Sequence, residues 1–251
     1  GRLGRVLRLK TIRQGKAQPG IRALMSVAGR HAPHVEVADL GFAIGPRINA
    51  SGRLKDISLG IECLLCEDFE AAERLARELD AINRERQSMQ ADMQQQALDA
   101  LPNQPFDGPS IVVFSEAWHE GIVGLLASKL KDQFNRPVLA LAPSADGELL
   151  RGSGRSIPGL HLRDALDWIS KQSPQTLVRF GGHAMAAGFS IRRDSLPDLE
   201  RLFASAVSAM TDPEQLAAMI WTDGPLDPSW LREDWIQSIH DAIWGQGFPA
   251  P

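Results

Sequence analysis

Between Ile61 and Leu101 the chain contains neither glycine nor proline, and no other feature constrains its fold as tightly. Asp68 stands where an N-cap would. Phe69, Ala72, Leu75, Ala76, Leu79, Ile82, Met89, Met93 and Ala97 then recur every three or four residues, the spacing of one apolar helix face. Pro102 closes the run. A helix of this extent reaches about 50 Å at about 1.5 Å per residue, more than the width of one small domain. Its middle is polar ("NRERQ", "QQQ"), which suits a connector crossing solvent. The spacing therefore predicts two bodies joined by a strut.

The segments on either side differ in period. Leu3, Val6, Leu7, Leu9 and Ile12 make a rough helical stripe, "QPG" a turn, and "IRALMSVAG" a second short helix ending near Gly29. "LGFAIGPRINASGRL", Leu40 to Leu54, is too rich in glycine for a regular helix or strand by pattern alone. After Pro109 come a buried strand at 110–115, a helix at 121–134 and a strand at 137–143. A third strand over 147–156 runs into "RGSGRS", followed by a helix at 161–171, the stretch "RFGGHAMAAGFSIRR" and a helix at 195–210. Strands and helices alternating with short connections indicate an α/β layer structure.

Composition narrows the class. Two cysteines give no disulfide framework and suit a reducing compartment. No apolar run approaches the roughly 20 residues of a membrane span, and arginines interrupt the apolar residues of the N-terminus, unlike a signal peptide. A cytoplasmic protein with no membrane association is expected. The net charge of −4 conceals an asymmetry: residues 1–35 carry eight Lys/Arg and no Asp/Glu, whereas 194–251 carry ten Asp/Glu against Arg201 and Arg232. A local positive field is thus compatible with an acidic whole. The opening without Met, inside a patterned segment, and the ending "WGQGFPAP" lead us to expect a piece of a longer protein.

Standard nucleotide motifs are absent. "GSGRSI" ends in Ile157 where a dinucleotide fingerprint needs glycine, and there is neither a P-loop nor a nucleophile elbow. "CLLC" (Cys63 to Cys66) is a lone pair best read as core packing, and "HAPH" (His31 to His34) a lone pair in a loop. Three Gly/Arg/His-rich stretches remain. "RINASGR" offers Arg47, Asn49, Ser51 and Arg53 as phosphate donors. In "RGSGRS", Ser153 and Arg155 lie two apart and face one way if extended, with Ser156 beside them. Glycines there let the backbone turn, and a helix beginning near Gly159 would add N–H groups. In "FGGHAMAAG", Gly181 and Gly182 permit close backbone approach, and His183 can donate to an anion or move a proton. Each alone is an ordinary turn; together they point to a phosphate-rich ligand.

"GPRINASGRL", "LARELDAINRERQ", "WHEGIVGLLASKLKDQFNRPVLALAP", "GSGRSIPGLHLRDAL" and "FGGHAMAAGFSI" together resemble the RecJ-type single-strand-specific 5′→3′ DNA exonucleases of the DHH phosphoesterase family, over residues 1 to 211. The resemblance implies an α/β chain in which a long connector helix (58–108) joins the remnant of an N-terminal α/β domain (1–57) to a mixed-sheet DHH-associated domain (109–212). Residues 213–251 would begin an OB-fold-like region. It implies Mn²⁺- or Mg²⁺-dependent phosphodiester hydrolysis in DNA repair and recombination. The Asp-His-His motif of that chemistry is absent here, so the chain is expected to bind no metal and to cleave nothing alone. "GSGRS" would then belong to a pocket for the 5′-phosphate end, with Ser153 and Arg155 as donors and Arg47 or Arg53 opposite. Gly181 to His183 would lie near the scissile phosphate, and His119 would be a further candidate. Partners implied are single-stranded DNA and other replication or repair proteins. Trp118 is the one aromatic beside a motif, a candidate for base stacking. Two alternatives stand: a DHH phosphodiesterase acting on short oligonucleotides or cyclic dinucleotides, and a non-enzymatic interaction module.

Overall fold

The computed structural model of the chain describes residues 9–101, 107–217, 222 and 224–242. The apolar stripe at Leu3, Val6 and Leu7 lies outside them, and 9–13 are helical. Helix α1 spans Pro19–Val27, with proline at its first position, where its missing N–H costs nothing. Helices α2 (Gly45–Leu54) and α3 (Ser58–Leu65) follow, and then the strut, α4, over Phe69–Ala100. The Asp68 carboxylate accepts the Ala71 N–H at 2.7 Å, so the expected N-cap is in place.

Two cores share α4. Its first turns place Ala72, Ala76 and Leu79 against Leu24, Met25, Val35, Ile44 and Cys63, while Met93 and Ala97 pack with Ile111, Trp118, Leu126 and Leu130 of the second body. Most of the polar middle is exposed, Arg84, Glu85 and Gln87 included, but Asp80 and Asn83 at its start are buried. Asp80 is covered by α2, and the reading of that segment needs correction. The glycine-rich stretch from Leu40 is helical throughout, a π-helical turn over Leu40–Ile44 running directly into α2. Intrinsic propensity argues against this, but tertiary partners override it. Arg47 reaches Asp80 from Nη2 at 2.8 Å and from Nε at 2.9 Å, and gives Nη1 to the Ala43 carbonyl. Ser51 is buried and donates to the Ile48 carbonyl at 2.7 Å.

The second body is a five-stranded mixed sheet. Its strands are β1 (Ile111–Phe114), β2 (Val138–Pro143), β3 (Leu150–Arg155), β4 (Arg179–Gly182) and β5 (Ala186–Ile191), in the order β1-β2-β3-β5-β4. β1 and β2 are parallel, joined through helix α5 (Val123–Phe134), and the remaining pairs are antiparallel. Helices α6 (Leu162–Gln172) and α7 (Leu196–Met210) cover one face, where Leu139, Leu141, Phe189 and Ile191 meet Leu162, Leu166, Leu202 and Phe203. The other face is layered unevenly. Ile111, Val113, Val138, Ala140 and Ala142 are covered by α5 and the end of α4, and beyond β3 the sheet opens into a cleft.

Among the described residues after 212, a helical turn (Pro213–Leu216) and helix α8 (Glu233–Asp241) appear and no strand. The rest of the expected OB-like start falls outside the described residues.

Candidate functional site

Strand β3 is where local sequence becomes site geometry. Its residues alternate faces, as the two-residue period requires. Gly152 and Gly154 point toward α6 and α7: a Cβ on Gly152 would sit 2.1 Å from the Phe189 ring, and one on Gly154 2.8 Å from Leu139 and Leu162. These glycines are therefore packing positions in a regular strand, not hinges of a turning loop. Arg151, Ser153 and Arg155 occupy the opposite face and line the cleft.

The cleft holds about 720 Å³. Its floor continues across the sheet in register, Ser153 beside Gly188 and Gly188 beside Gly181, then Arg151 beside Ser190 and Ser190 beside Arg179. A Cβ on Gly181 would meet nothing within 4 Å, so bare backbone forms the floor there. One wall is the start of α5, Val123 and Gly124, with the preceding turn His119 to Gly121. Gly52 and Arg53, at the end of α2, close the rim, and Arg53 Nη1 donates to the Gly121 carbonyl at 3.1 Å. The helix whose N-terminus borders the cleft is thus α5. The expected helix near Gly159 begins instead at Leu162, capped by His161, and does not line it.

Four arginines (53, 151, 155 and 179) face this space against one carboxylate, Glu120, which lies 3.2 Å from Arg151 Nε. The other three have no ion-pair partner among the described residues. Arg155 is held by neutral groups: Nε donates to Ser128 Oγ at 3.1 Å, and Nη1 to Ser153 Oγ at 3.1 Å and the Gly154 carbonyl at 2.8 Å. Burial, and secondarily the charge of Arg53, hold its pKa below the ordinary guanidinium value. A buried positive charge with no carboxylate beside it is one that an anion would relieve. His119 Nδ1 accepts the Gly121 N–H at 3.0 Å, so in the neutral ring the proton sits on Nε2, which becomes a donor.

Arg53, His119, Ser153, Arg155 and Gly181 come together in the cleft. Gly182 and His183 form the adjoining hairpin turn, where Gly182 has φ +149° and His183 is exposed, its Nδ1 accepting the Met185 N–H at 3.4 Å. The remaining candidates lie elsewhere. Arg47 is taken by Asp80, Ser51 by Ile48, and Ser156 is buried with its hydroxyl on the Leu160 carbonyl. Asn49 is exposed on α2 and does not line the cleft. Trp118 is buried, giving Nε1 to Gln96 at 2.8 Å, and so offers no stacking face. Sequence reasoning missed Arg151, Arg179, Gly188 and Ser190. Arg151 was findable from the period of β3, whereas the others needed the strand pairing.

Residues 107–209 match the family model of the DHHA1 domain, and the chain carries that domain. Over 97% of its length the chain is 45% identical to the single-stranded-DNA-specific exonuclease RecJ of Dickeya dadantii and 44% identical to that of Escherichia coli. It is a homologue of the RecJ exonucleases, and spans about 43% of the length of these relatives. RecJ of Thermus thermophilus, solved in complex with Mg²⁺ and with Mn²⁺, superimposes with a TM-score of 0.80 in both cases, at 25% identity. The match covers 96% of this chain and 36% and 34% of those. The expected mixed α/β architecture with its long helix is thus found. Among the described residues no three of His, Cys, Asp and Glu converge so as to hold an ion, and Glu120 is engaged by Arg151. None of the described helices is long and apolar enough to cross a membrane.

Proposed function

We propose that this chain forms the substrate-gripping side of the active cleft in a 5′→3′ single-stranded-DNA exonuclease of repair and recombination. The observation that carries the reading is the open half of the sheet, where Arg155 and Ser153 sit opposite Arg53 with no carboxylate to neutralise either arginine. Arg–phosphate bonds are charge-assisted, and a terminal phosphate carries more charge than an internal one, so the pocket favours a 5′-phosphorylated end. Glycine 181 and Gly188 let a strand lie on the sheet, and His119 supplies an Nε2 donor at the wall. Such contacts position a backbone without reading sequence, and binding falls as salt rises.

In this reading 1–57 end the catalytic domain, 58–108 are the connector, 109–212 bind substrate, and 213–251 begin an OB-like region. The Mn²⁺ or Mg²⁺ chemistry of the complete enzyme belongs to residues other than those described, and this chain alone cleaves no DNA. Other replication or repair proteins and a cytoplasmic setting fit the same role.

The test is fluorescence anisotropy with a short single-stranded oligonucleotide carrying a 5′-phosphate or a 5′-hydroxyl, at low and moderate salt. A preference for the phosphorylated end that Arg155→Ala removes supports a 5′-end pocket. Equal affinity for both ends, or none, sinks the 5′-end pocket and leaves this chain only the walls of a cleft; binding that Arg155→Ala does not change favours the interaction-module alternative.

A further inference from the structure

Beyond Ser153 and Arg155 the cleft has a second basic row that none of the site motifs included. Arg151, Ser190 and Arg179 are register partners on three adjacent strands, β3, β5 and β4. Their neighbours in sequence fix the face they take. Phe180 and Phe189 pack into the core under α6 and α7, so Arg179 and Ser190 point the other way, as Arg151 does. All three line the cleft. Arg179 is exposed and has no ion-pair partner among the described residues. Glu120 faces Arg151: its Oε2 is 3.2 Å from Nε, yet that oxygen is buried and accepts no hydrogen bond.

The row is displaced along the sheet from Arg155. Arg151 lies four residues earlier on the same strand, roughly 13 Å away at about 3.3 Å per residue. Between the two lies the bare floor of Gly188 and Gly181. The ends of this floor differ in enclosure. Arg155 lies against the start of α5, where a Cβ on Gly124 would come 3.1 Å from its Nη2, whereas the Arg151 side chain is 50% exposed. A strand whose terminus enters the enclosed end therefore runs over the glycines and leaves across the arginine row.

We propose that Arg151, Ser190 and Arg179 form a second phosphate subsite, which holds an internal phosphate of the strand downstream of its 5′ end. The inference rests on the cleft being a phosphate site with the terminus at Arg155. Guanidinium groups from β3 and β4 flank the phosphate, and Ser190, short and between them, brings a hydroxyl. Glu120 is the resident counter-ion of Arg151. An arriving phosphate takes the arginine from it, and the exchange costs little because no hydrogen bond is broken. An internal phosphate carries no sequence information, so the subsite adds grip and direction without selecting bases.

The test is an anisotropy titration with a 5′-phosphorylated single-stranded oligonucleotide in which one linkage at a time, walked inward from the 5′ end, is an uncharged methylphosphonate. The unaltered chain is compared with the double variant R151A/R179A, with R155A and with E120Q. Melting temperatures are taken throughout, and the 5′-hydroxyl strand serves as reference. The double variant is expected to bind the all-phosphate strand on the order of tenfold more weakly, with a salt slope shallower by about 0.7, the share of one phosphate in a single strand. It keeps the preference for a 5′-phosphate, which R155A loses. At one internal position the methylphosphonate costs the unaltered chain affinity and costs the double variant none. E120Q binds about threefold more tightly at low salt, the scale of an exposed ion pair released.

If no internal position distinguishes the double variant from the unaltered chain, the subsite is overturned, and R155A still defective leaves the 5′-end pocket standing. Loss of the 5′-phosphate preference in R151A/R179A merges the row with that pocket and overturns the subsite too. Weaker or unchanged binding in E120Q overturns the exchange at Arg151. A chain that does not bind the oligonucleotide, or binds it independently of Arg155, overturns the phosphate cleft itself and this inference with it.

Discussion

Arg155 donates from Nη1 to the hydroxyl of Ser153, two residues earlier on the same face of β3, across 3.1 Å. The pair is a unit: the serine orients the guanidinium, and the guanidinium carries the charge. Arg155→Ala should therefore cost phosphate affinity tenfold or more, roughly the 1.5–3 kcal/mol of a charged hydrogen bond. Ser153→Ala, which removes only the orienting acceptor, should cost about threefold. Equal losses in the two titrations would mean that Ser153 contacts the ligand itself.

Glycines on the two faces of the sheet separate packing from binding. Gly181→Val adds its side chain to open space in the cleft, and should leave the unfolding free energy within about 0.5 kcal/mol while binding falls by about tenfold or more. Gly152→Ala drives a methyl into the Phe189 ring and should cost about 1–3 kcal/mol of stability. Denaturant unfolding and oligonucleotide titration of both variants check the contrast, which fails if G181V unfolds as easily as G152A.

Asp80 ties α2 to the strut. Asp80→Asn keeps its shape but leaves the largely buried Arg47 without a counter-charge, and a loss of about 3 kcal/mol or more is expected in urea unfolding. A variant as stable as the parent would show that the Arg47 contact to the Ala43 carbonyl suffices.

Cys63 should make stability fall in alkali. Burial, with a smaller effect of Cys66, raises its thiol from 9.0 to about 11. The folded chain holds that proton more tightly than the unfolded one, so the contribution is complete below pH 9 and is lost as pH rises through about 11. Melting temperatures of the parent and Cys63→Ala, taken from pH 8 to 11, should converge at the alkaline end. Parallel curves would exclude Cys63 as the cause.

Much of the architecture was legible from local pattern. A run without glycine or proline, capped by Asp68, is helical on any reading, and a period of two over 150–155 puts Ser153 and Arg155 on one face wherever β3 lies. What misled was also local. "GPRINASGR" reads as a loop because glycine and asparagine disfavour a helix, yet Asp80 and the packing of α2 on α4 make it one. Arg47 was assigned to the ligand by its residue type, and nothing in its own segment shows that its partner stands 33 residues away.

The amino-acid sequence by itself determined the elements, the charge they carry and the face of β3 that bears it, because propensity, capping and period act over a few residues. Only the tertiary structure decided that Gly188 lies beside Ser153 and Gly181 beside Gly188, and that Arg53 arrives from a helix far from β3 in the chain. A cleft is the space that neighbouring elements leave uncovered. It depends on which strands pair and where each helix rests, contacts set by burial and Coulomb energy between residues that have no sequence signature in common.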